Sequence, residues 1–182
     1  MTNEPDENQW IQRSLDGDTA AFSLLVLRYQ DAAVNLACRI TGNRTDGEDL
    51  AQEAFIRAYR KLHQFDPRRE FRGWLLGITA NLSKNHIRRR TRREQREQLE
   101  PLLPEVLPDP DPRLEQLTQA MEALSSAERA ILTLKYMEGY SVKEIAAILE
   151  LRESAVKMRL ARARTHLMNH PLFQKGTHDE PT

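Results

Sequence analysis

The sequence predicts an all-α protein of two small helical units joined by an extended, acidic, proline-rich linker. Helical periodicity recurs along the chain, and the strict alternation expected of strands is nearly absent. Residues 97–112 hold five of the nine prolines together with five acids and no base. Prolines at that density exclude a continuous helix, and as an extended tether this segment could span roughly 50 Å.

The first unit is expected over residues 1–96. A short helix around Glu7 to Leu15 is predicted to precede a long helix from Thr19 to Thr41. Asp18 can accept hydrogen bonds from the first free amides of the long helix, and Gly42 can end it in a left-handed conformation. Thr45 is then expected to cap a third helix, from Asp46 to about Leu62.

This third helix has one apolar side and one polar side. Ile56 lies on the polar side, among acids and an amide. An exposed isoleucine with a polar rim fits a protein interface, although isolated surface apolar residues are common and an ordinary surface stays open. The predicted buried residues are Leu50, Ala51, Ala54, Phe55, Ala58 and Leu62, and the predicted outer face is Asp49, Gln52, Glu53, Ile56 and Arg60.

A fourth helix, predicted over Trp74 to Arg88, carries a strip that we call the basic ridge. Seven bases lie between Lys84 and Arg96, and a loop carrying Phe65, Arg68 and Arg69 precedes the helix. Cations beside an aromatic surface are typical of sites that hold single-stranded nucleic acid. Trp74 could equally be a core residue. The basic ridge comprises Trp74, Gly77, Asn81, Lys84, Asn85 and Arg88.

The second unit is expected over residues 113–170, followed by a tail over 171–182. Two capping boxes, Ser125 with Glu128 and Ser141 with Glu144, predict two helix starts, and Gly139 separates them. A short helix from Val142 to Leu149, a turn of about four residues and a longer helix from Ser154 then form a helix-turn-helix.

The longer helix has a recognition face, which we define as Ser154, Met158, Ala161 and Arg162. Its opposite, apolar side is Val156, Leu160, Ala163 and Leu167. Lys157, Arg159 and Arg164 flank the recognition face, and no acid occurs from Ser154 to His166. This pattern favours duplex DNA binding in the major groove over a helical hairpin with a solvated basic surface.

Charge distribution, cysteine content and hydropathy limit the kinds of function that the chain can have. The formal net charge is zero, yet residues 67–96 carry ten Lys or Arg against two acids, and residues 97–122 carry one against seven. A neutral total therefore does not argue against a polyanionic partner. The single cysteine, Cys38, lies in an apolar run, which indicates a packing role and a reducing, cytoplasmic setting. No apolar run is long enough to span a membrane.

Catalytic patterns are missing. The sequence has no glycine-rich phosphate loop, no nucleophile motif and no histidine spacing suited to a metal. The acids of residues 46–53 lie on a patterned helix rather than in a calcium loop. We therefore expect a protein that is not an enzyme and that uses no cofactor and no metal.

Three segments resemble the extracytoplasmic-function (ECF) class of bacterial sigma factors: DGEDLAQEAFIRAYRKLHQF, FRGWLLGITANLSKNHIRRR and YSVKEIAAILELRESAVKMRLARAR. Together they span nearly the whole chain, in the order of that family. The resemblance implies a sigma region 2 helical bundle over 1–96, a linker over 97–112 and a sigma region 4 helix-turn-helix over 113–170. It implies three partners. The first is the RNA polymerase core, contacted at the clamp helices and the flap of the polymerase. The others are promoter DNA, both duplex and single-stranded, and an anti-sigma factor.

The resemblance also assigns residues to each contact. The positions implied to bind core polymerase are Asp46, Glu48, Asp49, Gln52, Glu53, Ile56 and Arg57. The positions implied to contact the minus-ten strand lie in the loop and on the ridge, and they are Phe65, Arg68, Arg69, Trp74, Asn81, Lys84, Asn85 and Arg88. Those for the minus-thirty-five duplex are Ser154, Lys157, Met158, Arg159, Ala161 and Arg162.

The helix-turn-helix departs from the family at its turn. Members commonly have a small residue or glycine there, whereas this chain has Glu150, at which a left-handed backbone would cost roughly 1 kcal/mol. Glu153 near a phosphate would also be repelled. A second hypothesis for the function is a conventional helix-turn-helix regulator whose first unit senses a ligand or dimerises. A third hypothesis is a protein-interaction adaptor without specific DNA binding.

Overall fold

The described residues of the computed structural model are 7–97, 120–121 and 123–171, and they are helical with no strand among them. The all-α prediction is confirmed. The predicted linker 97–112 lies outside the described residues apart from Glu97, and the predicted tail lies outside them apart from Pro171.

Four helices form the N-terminal unit. The predicted cap of the second is confirmed, because the Asp18 carboxylate accepts hydrogen bonds from the amides of Ala20 and Ala21. Gly42 ends that helix with a φ of 69°, as expected of a left-handed C-terminal glycine. The helices are α1 (Glu7–Leu15), α2 (Thr19–Thr41), α3 (Arg44–Lys61) and α4 (Phe71–Glu97), with a 3₁₀ turn at Leu62–Gln64.

The predicted cap of α3 is wrong. Asn43, not Thr45, is the N-cap, and its side-chain oxygen accepts a hydrogen bond of 2.8 Å from the Asp46 amide. Asn43 has the extended backbone that a cap requires, whereas Thr45 already lies inside the helix. Gly42 therefore ends α2 immediately before Asn43 starts α3.

From Ser125 to Pro171, within the described part of the C-terminal unit, three α-helices follow one another. Both predicted capping boxes are present, with Ser125 and Glu128 at the first start and Ser141 and Glu144 at the second. Gly139 has the expected positive φ, of 77°. The helices are α5 (Ser126–Leu132), which continues as a π turn over Thr133–Met137, then α6 (Val142–Ile148) and α7 (Glu153–Met168).

Two apolar clusters hold these helices together, and α4 belongs to both. Phe71 and Leu75 pack in the N-terminal cluster with residues of α1, α2 and α3. Leu76 and Ala80, on another side of α4, pack with buried residues of α5, α6 and α7. Residues of α2 also join this second cluster, so the two units are packed against each other. The residues of the N-terminal unit that are buried in the C-terminal cluster are Leu36, Ile40, Leu76 and Ala80.

The crossing of α2 over α3 depends on a glycine. A β-carbon at Gly47 would lie 2.4 Å from the Cys38 sulfur and 2.7 Å from the Cys38 Cα, so backbone as well as side chain blocks it. Cys38 is buried, and burial raises the pKa of its thiol. The predicted packing role of Cys38 is confirmed.

We expect Gly47→Ala to lower the free energy of unfolding by about 1–3 kcal/mol, since the added methyl overpacks a helix crossing. Alanine is the better helix former by about 1 kcal/mol, so propensity alone would give the opposite sign. Urea unfolding followed by circular dichroism measures the change. Gly73→Ala is the matched control, because its β-carbon would be at an ordinary 3.5 Å from Ile148. Unchanged or increased stability of Gly47→Ala would contradict the account.

Candidate protein and nucleic-acid interfaces

The outer face of α3 is open in the structure. The predicted apolar side of the helix is buried, while Asp49, Gln52 and Ile56 are exposed, Ile56 at 51%. Two ion pairs along the helix, Arg44–Glu48 at 2.7 Å and Arg57–Glu53 at 2.6 Å, border this face. The face therefore has a small apolar centre within a charged and polar rim, as protein interfaces do.

Asp46 faces in another direction. Its carboxylate lies 3.1 Å from His86 Nε2 and 3.4 Å from an Arg90 nitrogen, both on α4. It thus connects the first turn of α3 to the basic half of α4. Of the other three acids predicted to bind polymerase, Glu48 and Glu53 pair with neighbouring arginines on their own helix, and Asp49 is exposed. Sequence spacing gave no signal of the link from Asp46 to α4, which crosses 40 residues.

The loop before α4 separates its charged and aromatic residues. Arg68 is exposed and donates hydrogen bonds of 2.9 Å to both Asp66 oxygens, which lowers the pKa of Asp66 to about 2. Arg69 is also exposed. Phe65 is only 8% exposed, and its ring lies 5.1 Å from that of Trp74 and 5.6 Å from that of Phe71. In this conformation Phe65 is a packing residue.

The basic ridge is exposed only in its second half. Asn85 and Arg88 are open, whereas Gly77 is buried and Trp74, Asn81 and Lys84 are half-buried. The strip that the sequence outlines is therefore not accessible along its whole length, because α6 passes over it at Gly77 and the Trp74 ring packs against Phe65 and Phe71. A β-carbon at Gly77 would be 2.7 Å from the carbonyl oxygen of Ile148, the last residue of α6.

Lys84 lies beside the helix-turn-helix as a result. Burial lowers the pKa of its ammonium group, and the nearby positive charge of Arg159 lowers it further, while Glu150 acts in the opposite direction. Arg159 is one of the residues predicted to contact duplex DNA. The structure therefore brings one candidate strand residue and one candidate duplex residue into the same electrostatic environment.

The helix-turn-helix has the geometry that the sequence predicts. Glu150 adopts the left-handed conformation, with a φ of 54°, and the Leu151 amide donates a 2.8 Å hydrogen bond to the Ala146 carbonyl. The longer helix begins at Glu153, one residue before the predicted start, and Arg152 occupies the cap position without a side-chain hydrogen bond.

The recognition face on α7 is exposed. Met158 is 52% exposed, Ser154, Ala161 and Arg162 are open, and Lys157 flanks them. The opposite residues Val156, Leu160 and Ala163 are buried, so the predicted orientation is confirmed. Arg159 is half-buried. Arg164 is turned aside, since its Nε donates a 2.8 Å hydrogen bond to the Tyr136 hydroxyl.

Contacts between the two units involve residues that the sequence did not single out. Arg72 on α4 forms an ion pair with Glu138 and lies 5.5 Å from the ring centroid of Tyr140. Arg129 on α5 donates hydrogen bonds of 2.7 and 3.1 Å to the Ile40 carbonyl at the end of α2. The partners in these contacts are 66 and 89 residues apart in the sequence, so helical periodicity could not have predicted them.

The described part of the chain offers neither a metal site nor a membrane span. No three histidine, cysteine or acidic residues in it come close enough to hold a metal ion. No helix within those residues is both long and apolar enough to cross a bilayer.

Comparison with known proteins identifies the family. The sigma-70 region 2 family matches residues 25–93, and a sigma-70 region 4 family matches residues 114–167. The RNA polymerase sigma-H factor of Pseudomonas aeruginosa is 34% identical, over 90% of this chain and 92% of that protein. The ECF RNA polymerase sigma-E factor of Escherichia coli is 31% identical, over 96% of this chain and 100% of that protein.

Solved structures agree with these matches. The sigma factor RpoE from Bartonella quintana, in complex with the anti-sigma factor NepR, superposes with a TM-score of 0.74 at 25% identity, over 84% of this chain and 96% of that one. CnrH, in complex with the cytosolic domain of CnrY, gives a TM-score of 0.65 at 28% identity, over 88% of this chain and 94% of that one. The chain therefore belongs to the ECF family of RNA polymerase sigma factors.

Proposed function

We propose that this sigma factor directs core RNA polymerase to promoters through three separate surfaces. The outer face of α3 binds the clamp helices of the core. The basic ridge and the loop before it hold the opened minus-ten strand, and the recognition face of α7 reads the minus-thirty-five duplex. The chain itself catalyses nothing in this proposal, and it acts in the cytoplasm, where polymerase and promoter DNA are found.

The observation that carries the proposal is the exposed Ile56 in the middle of the α3 face. A helix-turn-helix regulator needs a duplex-reading face, which α7 supplies, but it has no need of an apolar residue ringed by Asp49, Gln52 and two ion pairs. Fully buried apolar anchors with a polar surround contribute most of the energy of protein interfaces. The α3 face has that arrangement.

Chemistry supports the roles of the other two surfaces. Lys84, Asn85 and Arg88 offer cations and an amide to a strand, and Trp74 offers an aromatic ring, as sites for single strands do. Extruding a base from a duplex costs a few kcal/mol, which such contacts can offset. On α7, Arg162 can donate two hydrogen bonds to a guanine edge, while Lys157 can meet a phosphate.

We also propose an anti-sigma factor as a partner. Two solved relatives of this chain were each obtained with a bound protein, which for the Bartonella quintana factor is the anti-sigma factor NepR. An inhibitor that covers the α3 face or α7 would block polymerase or DNA, so this partner is consistent with the surfaces above.

Transcription from a supercoiled promoter library with purified core polymerase tests the proposal. The proposal predicts new start sites only when this chain is present, with binding to promoters that weakens steeply as salt rises. A conventional regulator would bind duplex DNA alone and would start no transcript from core polymerase.

Ile56→Asp should weaken binding to core polymerase by at least about 30-fold, the equivalent of roughly 2 kcal/mol, since it places a charge in the apolar centre. Fluorescence anisotropy of labelled chain titrated with core measures the affinity. Met168→Asp is the matched control, because Met168 is 74% exposed near the end of α7, away from this face. An Ile56→Asp variant that folds and keeps its affinity would remove the α3 face from the proposal.

Arg162→Ala should lower selectivity at one base pair of the minus-thirty-five element by about 1–3 kcal/mol, because a bidentate contact to a base edge is lost. Selection from a randomised promoter library with assembled holoenzyme measures the preference at each position. Arg164→Ala serves as the comparison, since Arg164 contacts Tyr136 and should change overall affinity without changing sequence preference. The same base preferences in parent and Arg162→Ala would rule out the contact.

A further inference from the structure

A cavity of about 290 Å³ lies between α4 and α6, and we call it the α4–α6 cavity. Trp74 and Ile78 from α4 and Ile148 from α6 form the apolar part of its wall. A space of this volume is larger than the voids of protein cores, and it is close to the lower limit of about 300 Å³ for small-molecule sites. The cavity therefore has the size for a ligand smaller than a nucleotide.

The mouth of the cavity is acidic. Glu70, Glu144 and Glu150 line it against Arg69, and all four residues are exposed. Lys84, which is not part of the lining, is close enough to Glu150 to offset part of its charge. The surplus of carboxylates attracts cations and repels anions. The charge of the mouth therefore favours a positively charged ligand over a phosphorylated one.

One buried hydroxyl in the wall lacks a partner. Tyr140 is only 6% exposed, and its hydroxyl forms no hydrogen bond with the described residues. Burial and the negative charge of Glu70 raise the pKa of Tyr140, so the hydroxyl keeps its proton at neutral pH. Arg72 lies 5.5 Å from the ring centroid, but its charge is already matched by its ion pair with Glu138. Because nearly all buried polar groups in proteins are hydrogen-bonded, this hydroxyl indicates a missing group beside it.

We propose that the α4–α6 cavity binds a small organic cation, a primary amine on an apolar body of about the size of one aromatic ring. An ammonium group has three N–H donors and no acceptor. Placed beside Tyr140 and Glu70, it supplies the donor that the hydroxyl lacks and the positive charge that the carboxylate attracts. The apolar body fills the space beside Trp74 and Ile148, and an aromatic ring face also attracts a cation. This proposal depends on the cavity alone and not on the promoter roles proposed above.

Three probes of similar shape separate the effect of charge from that of shape. Phenethylamine is a cation at neutral pH, 2-phenylethanol has a hydroxyl in place of the ammonium group, and 3-phenylpropionate carries a carboxylate. Isothermal titration calorimetry on the full chain measures each affinity. We expect phenethylamine to bind with a Kd below about 10 mM, the affinity expected of so small a ligand. It should bind about fivefold more tightly than 2-phenylethanol, the gain of one partly exposed charge pair, and 3-phenylpropionate should not bind.

Tyr140→Phe separates a ligand site from a purely structural residue. Removing an unpartnered hydroxyl should leave the free energy of unfolding of the free chain unchanged or raise it, whereas phenethylamine should bind about fivefold more weakly, since it loses a hydrogen bond. Glu70→Gln should weaken phenethylamine binding by a similar factor. Tyr136→Phe and Asp31→Asn are the matched controls, because both residues are exposed and outside the lining of the cavity, and both variants should bind the amine as the parent does.

Tryptophan fluorescence locates the bound amine. In a Trp10→Phe background Trp74 is the remaining tryptophan, so its emission reports on the cavity wall. Phenethylamine should change this emission with the midpoint found by calorimetry, and it should raise the melting temperature, because it binds only the folded chain.

Four results would overturn the proposal. Two concern the parental chain: no saturable binding of phenethylamine, and equal affinity for phenethylamine and 2-phenylethanol. The others are unchanged Trp74 emission at saturation, and parental affinity in both Tyr140→Phe and Glu70→Gln, since either would place the amine elsewhere on the chain. Transcription with core polymerase is independent of these measurements, so start sites that persist without amine binding would leave the proposed function standing.

Discussion

Burial of α4 on two sides is the constraint on which the rest of the molecule depends. Phe71 and Leu75 fill the N-terminal cluster, while Leu76 and Ala80 fill the C-terminal one. A helix with apolar residues on two flanks has only a narrow strip left for function, and on α4 this strip is the basic ridge. The close approach of α6 at Gly77 follows from the same arrangement, because a helix packed against Leu76 must also pass over the neighbouring strip.

Most charged residues of α4 lie at the end of the helix that the two apolar clusters leave exposed. The exposed end of α4 carries the arginines, and Asp46 ties that end to α3 through His86 and Arg90. The α3 face with Ile56 and the α7 face with Arg162 stay open, whereas the first half of the ridge is covered. The surfaces proposed for protein and for duplex DNA are therefore both accessible in the structure, whereas half of the surface proposed for the strand is not.

Local features were predictable from the sequence, and features that need distant residues were not. The caps at Asp18, Ser125 and Ser141 were predicted correctly because a cap is decided within four residues. The start of α3 was misassigned to Thr45 because both Asn43 and Thr45 are acceptable caps, and only the bend at Gly42 decides between them. The faces of α3 and α7 followed from periodicity. The covering of the ridge did not, because Arg72–Glu138 and Gly77–Ile148 join residues far apart in the chain, and the aromatic pairing that buries Phe65 likewise depends on packing.

The most direct test of the account is the affinity of purified core polymerase, at low salt, for the parental chain and for Ile56→Asp. The account predicts stoichiometric binding of the parental chain and binding at least about 30-fold weaker for the variant. Equal affinities of the two folded proteins would contradict the role proposed for the α3 face. A folded chain that fails to bind core at all would contradict the assignment of its polymerase surface.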